Sequence, residues 1–237
     1  MNEKEFIESL KKISVNLTEE QLLQFSLYCD FLLEYNGHTN LTAIRNREDV
    51  YLKHFYDSLM LLEFKKLNNE KVLDIGSGPG FPGVPLKIVN PKIDLTVLDS
   101  NGKKTKFLEL LKDKLNIEYT VINERAEEYV KTSRESFDLV LSRAVTSMPV
   151  LAELSIPFVK IGGYFIPYKG FLDETLECGK YALETLGTKV ENVIMKKLPK
   201  ENSTRTFVVA YKERKTNIIY PRLFDKINKK PLQKITK

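Results

Sequence analysis

The sequence predicts an α/β fold: a parallel sheet with helices on both faces, preceded by a helical cap and closed by an antiparallel strand pair. Three observations carry this. Five short runs, Lys71–Ile75, Asp94–Leu98, Tyr119–Ile122, Phe137–Leu141 and Tyr164–Pro167, alternate with helical patterns, the rhythm of strands joined by crossover helices. Before Lys71 the apolar residues recur mainly at helical spacing. Near the end, Val190–Met195 and Thr206–Tyr211 are strand-like runs separated only by the basic loop Lys196–Arg205. Strands joined that closely pair antiparallel.

In chain order, Glu3–Lys12 has Phe6, Ile7 and Leu10 on one side of a short amphipathic helix. Thr18 and Gln21 fit a capping box, in which each side chain satisfies the other's backbone donor. The helix they start is expected to reach about Tyr35 and stop at Gly37. Leu22, Phe25, Cys29 and Leu32 form its apolar stripe, broadened by Leu23, Leu27 and Phe31. His38–Ile44 has no helical period. A third helix is expected over Glu48–Phe64, with Tyr51, Phe55 and Leu59 inward and His54 on the polar side as a surface residue. Between the strands, helices are expected near Gly83–Val89, over Lys103–Leu115, after Arg125-Ala126-Glu127, around Val150–Val159 and around Asp173–Leu186. The implied division is a helical cap over 1–66, a core over 67–211 and a basic tail over 212–237.

Composition sets the outer limits. The 237 residues are 42% hydrophobic and 29% charged, ordinary for a globular protein with a core. No apolar run reaches the length of a membrane span, and MNEKEF lacks a signal-peptide pattern. Cys29 and Cys178 lie far apart, with no CxxC and no histidine cluster, which argues against a disulfide or a zinc site. A cytoplasmic monomer with no metal and no membrane partner is the expectation. The net charge of +5 is uneven: from Lys212 onward nine Lys/Arg face only Glu213 and Asp225. A basic tail on a near-neutral body suggests a polyanion such as nucleic acid, or a merely solubilising extension.

The stretch Lys71–Gly83, KVLDIGSGPGFPG, carries the chemistry. Gly76, Gly78 and Gly80 permit a turn without Cβ atoms, so backbone N–H groups can close on a ligand, and a helix start adds free donors. In an open parallel sheet, ligands bind at the carboxyl ends of the strands. Asp74–Gly80, Asp99, Ala126-Glu127 and Ser142-Arg143 all fall at such ends. The loop also satisfies the dinucleotide fingerprint as Gly78-x-Gly80-x-x-Gly83, with Asp99 at the expected distance for a ribose-binding acid. Against that reading, Pro79, Pro82 and Pro85 crowd a helix start that must present N–H groups to a pyrophosphate. Asp74 places a carboxylate where phosphates are repelled, and it suits instead a ligand with an ammonium or sulfonium charge. S-adenosyl-L-methionine has both.

Asp74–Gly80 matches the D-x-G-x-G-x-G loop of the class I S-adenosylmethionine-dependent methyltransferases, which the chain resembles. Beyond the loop, NLTAI (Asn40–Ile44), KHFYDSL (Lys53–Leu59), DIGSGPGFPGVPLKI (Asp74–Ile88), LDSNGKKTKFL (Leu98–Leu108), RAEE (Arg125–Glu128) and SRAV (Ser142–Val145) follow in order. By these the chain resembles, more narrowly, the bacterial 16S (small-subunit) rRNA guanine-N7 methyltransferases, the RsmG or GidB family. The resemblance implies a Rossmann-like sheet, S-adenosyl-L-methionine as cofactor, and 16S rRNA or a small-subunit precursor as partner. It implies that Gly76, Gly78 and Phe81 border the cofactor, Phe81 packing on its apolar surface or only in the core. Asp99 is expected at the ribose hydroxyls, or as a helix cap. Ala126 and Glu127 are expected at the adenine, unless Glu127 only opens a helix. Arg143 is the expected catalytic residue, beside the methyl group, with a structural ion pair as its alternative.

Absences narrow the acceptor. Pyrimidine C5 methylation needs a cysteine nucleophile, and neither cysteine falls at a strand end in the site. No N/D-P-P-Y segment follows the fourth strand to hold an exocyclic amine. Guanine N7, with an in-plane lone pair and no proton to lose, fits what remains. Candidate RNA contacts are Arg45, Arg47, Lys53, His54, Arg125, Arg143, the Lys196–Arg205 loop and the tail. The competing functions are a nicotinamide-dependent oxidoreductase and a non-catalytic RNA-binding protein.

Overall fold

A computed structural model describes residues 1–143, 146–170, 175–201 and 203–233, the side chains of 175–178 excepted. Ala144 and Val145 of the SRAV motif, the expected helix start at Asp173 and the terminal Lys234 and Lys237 lie outside the described residues.

The strands β1 (Lys71–Ile75), β2 (Asp94–Leu98), β3 (Thr120–Ile122), β4 (Phe137–Ser142), β5 (Val159–Lys169), β6 (Thr188–Lys197) and β7 (Thr204–Lys212) form one sheet in the order β3-β2-β1-β4-β5-β7-β6. The pairs among β1 to β5 are parallel, and β7 runs antiparallel to β5 and to β6. Sequence order reverses between β1 and β4, which opens a crevice at their carboxyl ends. There Asp74 is level with Val97 on one side and Leu141 on the other. The Ser142 hydroxyl crosses the crevice to donate to the Ile75 carbonyl at 2.8 Å.

Period-2 alternation gives the sheet two buried faces. Val72, Leu95, Val97, Leu139, Leu141 and Phe207 pack with the N-terminal helices. Leu73, Ile75, Leu98, Val140, Phe165 and Val208 form the core on the other face. The cap is thus fused to the sheet: Phe6, Phe25, Tyr28, Phe55 and Phe81 belong to one aromatic cluster.

Helix α1 (Glu3–Lys12) has the expected bounds, and Thr18 and Gln21 form the capping box of α2 (Glu19–Thr39). Gly37 does not stop α2. It is exposed with open space around it, and the helix continues to Asn40, which takes the left-handed conformation at φ 52°. An exposed glycine costs a helix only about 1 kcal/mol, so the αL cap decides the end. The expected third helix is irregular: α3 (Arg47–Asp49), a π-helix over Val50–Tyr56, α4 (Asp57–Leu59) and a 3₁₀ turn over Met60–Glu63. Beyond β1 come α5 (Gly83–Val89), α6 (Gly102–Leu115), α7 (Ala126–Ser133), α8 (Met148–Ser155) and α9 (Thr175–Thr185).

Residues after β7, read from sequence as lacking a strong period, are docked on the core. The fully buried Lys212 donates to the Ile156 carbonyl at 3.0 Å and to Thr216 Oγ1. Arg222 grips the fully buried Glu153 with Nε at 2.8 Å and Nη2 at 2.6 Å. Ile227 of α10 (Phe224–Lys229) is buried. Among the described residues, no helix is long and apolar enough to cross a membrane.

Candidate active site

The glycine loop leaves β1 on left-handed backbone, with φ of 66° at Gly76, 59° at Gly78 and 104° at Gly80. Gly76 and Ser77 donate their N–H groups to the Leu98 carbonyl of β2, at 2.8 and 3.2 Å, so the loop folds across the sheet edge. The glycines differ in purpose. A Cβ at Gly78 meets no atom within 4 Å, whereas one at Gly80 lies 2.7 Å from Tyr28 Oη and 2.8 Å from Val84 Cγ2. Gly78 borders open space, while Gly80 lets the cap pack on the loop.

Asp74 lies beneath that loop rather than in the cavity. It is fully buried, and Oδ2 accepts from the Gly83 N–H at 2.7 Å, which ties strand end to helix start. Its other oxygen has no partner. Burial pushes the carboxyl up to about 7, against the opposing pull of the Gly83 N–H and Arg143. The expectation that Asp74 meets the ligand's positive charge is therefore corrected: the carboxylate is sealed beneath the loop and its one hydrogen bond is structural.

Asp99, 7% exposed, accepts from the Gly78 N–H and the Asn101 N–H, both at 2.9 Å. Asn101, not Asp99, caps α6. Each Asp99 oxygen takes one backbone N–H, and Oδ2 also faces Lys104 Nζ at 3.6 Å, so Oδ1 is the oxygen with a lone pair left to accept. Ala126 and Glu127 open α7 at the end of β3; Ala126 is buried, Glu127 pairs with Arg125 at 3.6 Å, and neither borders the main cavity.

That cavity, about 1170 Å³, lies at the crevice between β1 and β4 and brings Gly76, Gly78, Phe81, Asp99 and Arg143 together. Its second wall comes from the cap. Phe81 is 3% exposed and stacks on Tyr28 (5.3 Å between centroids) and on His54 (4.3 Å). It belongs to the core and to the cavity lining at once. Arg143, at the end of β4, lies over the Phe81 ring at 5.0 Å. It donates to Asp57 Oδ2 at 2.9 Å, to the Lys53 carbonyl at 3.1 Å and to His54 Nδ1 at 3.0 Å. Asp57, 2% exposed, also accepts from Arg205 Nε of β7 at 2.8 Å.

His54 is not the surface residue expected from helical phase. It is enclosed between Phe81, Arg143 and Thr42, whose hydroxyl is 2.9 Å from Nε2. Burial, reinforced by the Arg143 charge, drives its pKa down to about 3, so the ring is neutral. Arg205, expected among the RNA contacts as part of the Lys196–Arg205 loop, lines the cavity too, and so do Asp57, Thr42 and Lys169, which were not singled out from sequence as site residues. The HFYD run held a signal for Asp57, since positions three apart share a helix face.

A nucleoside-bearing sulfonium fits these residues. The cavity offers open space at Gly78, an acid with spare acceptor capacity at Asp99, an aromatic wall at Phe81, and the buried Ser77 hydroxyl, which has no protein partner. Among the described residues no cluster of His, Cys, Asp or Glu is arranged to hold a metal.

The GidB family model, described as rRNA small subunit methyltransferase G, matches residues 21–204. Proteins named ribosomal RNA small subunit methyltransferase G are similar along the whole chain. The one from Oceanobacillus iheyensis is 43% identical over 98% of this chain and 100% of the relative; the one from Lactobacillus johnsonii is 44% identical over the same shares. Among solved structures, M. jannaschii TYW2 in complex with AdoMet aligns with a TM-score of 0.54 at 14% identity, over 67% of this chain and 74% of that one. A 16S rRNA (adenine(1408)-N(1))-methyltransferase from Catenulisporales acidiphilia aligns at 0.53 and 12% identity, over 63% and 88%. At such identities the structures speak to the fold alone, a class I Rossmann-like sheet.

Proposed function

The chain belongs to the GidB family, rRNA small subunit methyltransferase G, and from that premise we propose that it transfers a methyl group from S-adenosyl-L-methionine to N7 of a guanine in 16S rRNA. The observation that carries the reading is one cavity at the strand-order switch joining the glycine loop and Asp99 to the Phe81, His54 and Arg143 wall.

Each residue has a task set by its surroundings. Gly76 and Gly78 give the loop a surface without side chains against which a nucleoside lies, and Asp99 accepts from the ribose hydroxyls. Phe81 packs on the apolar part of the ligand from a ring that stacking has already immobilised. The family resemblance assigns Ala126 and Glu127, which stand at the end of β3 outside the cavity's lining, to the adenine edge. S-adenosylmethionine supplies, when bound, a methyl group on a positively charged sulfur. The guanine N7 lone pair forms the new N–C bond as the S–C bond breaks, and the positive charge passes to the base. No proton leaves N7, so no general base is required, and the protein's work is alignment and exclusion of water. Arg143, anchored by Asp57 and His54, is the fixed cation at the mouth that aligns the reacting groups.

Calorimetry on the purified protein tests the cofactor. S-adenosylmethionine is expected to bind, and Asp99→Ala to weaken binding by at least about tenfold, the worth of one charge-assisted hydrogen bond. Tighter binding of NAD than of S-adenosylmethionine would overturn the reading in favour of a dehydrogenase.

A further inference from the structure

The hydrogen bonds around His54 fix the direction of a donor at the cavity wall. Arginine has no acceptor and keeps its protons. Arg143 Nη2, 3.0 Å from His54 Nδ1, must therefore donate, and Nδ1 must be the unprotonated nitrogen of a neutral ring. The ring's single proton is then on Nε2, which donates to Thr42 Oγ1 at 2.9 Å. The same oxygen accepts from the Ile44 N–H at 3.2 Å. Both lone pairs of the Thr42 hydroxyl are thus taken, and it can act only as a donor. No acceptor for its proton occurs among the described residues, and Thr42 borders the cavity. Its backbone is held as well: Asn36, 1% exposed, accepts from the Thr42 N–H at 3.0 Å and donates to its carbonyl at 2.9 Å.

From this we propose that Thr42 is a specificity-determining residue, an obligate hydrogen-bond donor that recognises O6 of the acceptor guanine. The inference rests on the reading of the site as a guanine-N7 methyltransferase and deepens it. On the edge of guanine that carries N7, the neighbouring group is the O6 acceptor; adenine presents an amino donor there. A hydroxyl that can only donate pairs with the first and leaves the second facing a like group, a mismatch that costs affinity. Asp57 takes part at one remove: by holding Arg143 it sets the tautomer of His54, and so the direction of the Thr42 proton.

The test compares two acceptor RNAs, one with guanine at the target position and one with 2-aminopurine, which keeps N7 but lacks O6. Methyl transfer is measured with wild type, Thr42→Val and Thr42→Ser, and S-adenosylmethionine affinity by calorimetry reports whether each variant retains its cofactor site. The wild type is expected to prefer guanine. In Thr42→Val that preference falls by about 3–10-fold, the worth of one hydrogen bond, at unchanged cofactor affinity, while Thr42→Ser keeps most of it. A Thr42→Val enzyme with the wild-type preference overturns the inference. So does a wild type that methylates both RNAs equally, a result that stands even if the valine variant does not fold. A wild type that binds cofactor but methylates neither RNA overturns the guanine-N7 reading itself, which separates the two failures.

Discussion

Arg143 is held by the carboxylate of Asp57, the carbonyl of Lys53 and the ring nitrogen of His54, with the Phe81 face beneath it. A guanidinium so fixed needs no reorganisation when substrate arrives, which is how alignment lowers a barrier. Arg143→Ala is expected to lower turnover by at least about 100-fold, the cost of a modest misplacement at the reacting centre. Stability should fall by only about 1–3 kcal/mol, because Asp57 keeps Arg205 as partner. Methyl-transfer assays and urea unfolding check both, and wild-type turnover would remove Arg143 from the site. His54 supplies a pH signature. Its folded pKa lies far below its unfolded value, so between about pH 6.5 and 3 only the unfolded chain takes up the proton. Stability therefore falls as pH drops through that window. Nitrogen NMR should find the Nε2–H tautomer and no titration of His54 near pH 6.5; a midpoint there would contradict its enclosure. Phe81 and Asp99 were legible in the sequence because a strand end and a glycine loop fix where they stand. His54 was not, because the π-helix turns each residue by less than the 100° assumed in counting helical phase.

At the scale of elements, the two kinds of glycine predict opposite outcomes. Gly37→Ala adds a methyl group in open space within an exposed helix interior. It is expected to stabilise the fold by about 0.4–1 kcal/mol. Gly80→Ala forces an L side chain onto φ 104° and against Tyr28 Oη. It should destabilise by at least about 1–3 kcal/mol, and denaturant midpoints of the pair give both signs in one experiment. The strands were read to within a residue or so at β1 to β4, since their apolar runs end at polar residues that mark the sheet edge. β5 is longer than its apolar run. Gly162 and Gly163 interrupt the pattern, yet the chain passes through Gly162 at φ 86° and pairing is kept across an irregular register. The end of α2 was misplaced because a glycine was read as a stop, where Asn40 takes the left-handed turn.

For the whole molecule, charge is distributed differently from its linear reading. The basic segment from Lys212 onward spends Lys212, the last residue of β7, and Arg222 inward, the first in a buried site and the second on the buried Glu153 carboxylate. Tyr220 and Leu232 of this segment pack against the core on the sheet's second face. Arg222→Ala, which leaves Glu153 buried without its guanidinium, is expected to cost about 3 kcal/mol, with S-adenosylmethionine affinity unchanged; loss of cofactor binding in a folded variant would contradict a purely structural tail contact. No pattern in the sequence pairs Arg222 with Glu153, because that contact spans 69 residues and depends on how α8 packs. One modified nucleoside reports on the reaction directly. Nucleoside mass spectrometry of 16S rRNA from cells with and without this gene should find one N7-methylguanosine lost in its absence and restored by the wild-type chain but not by Arg143→Ala. Full retention of N7-methylguanosine in the cells lacking it would contradict the assigned reaction.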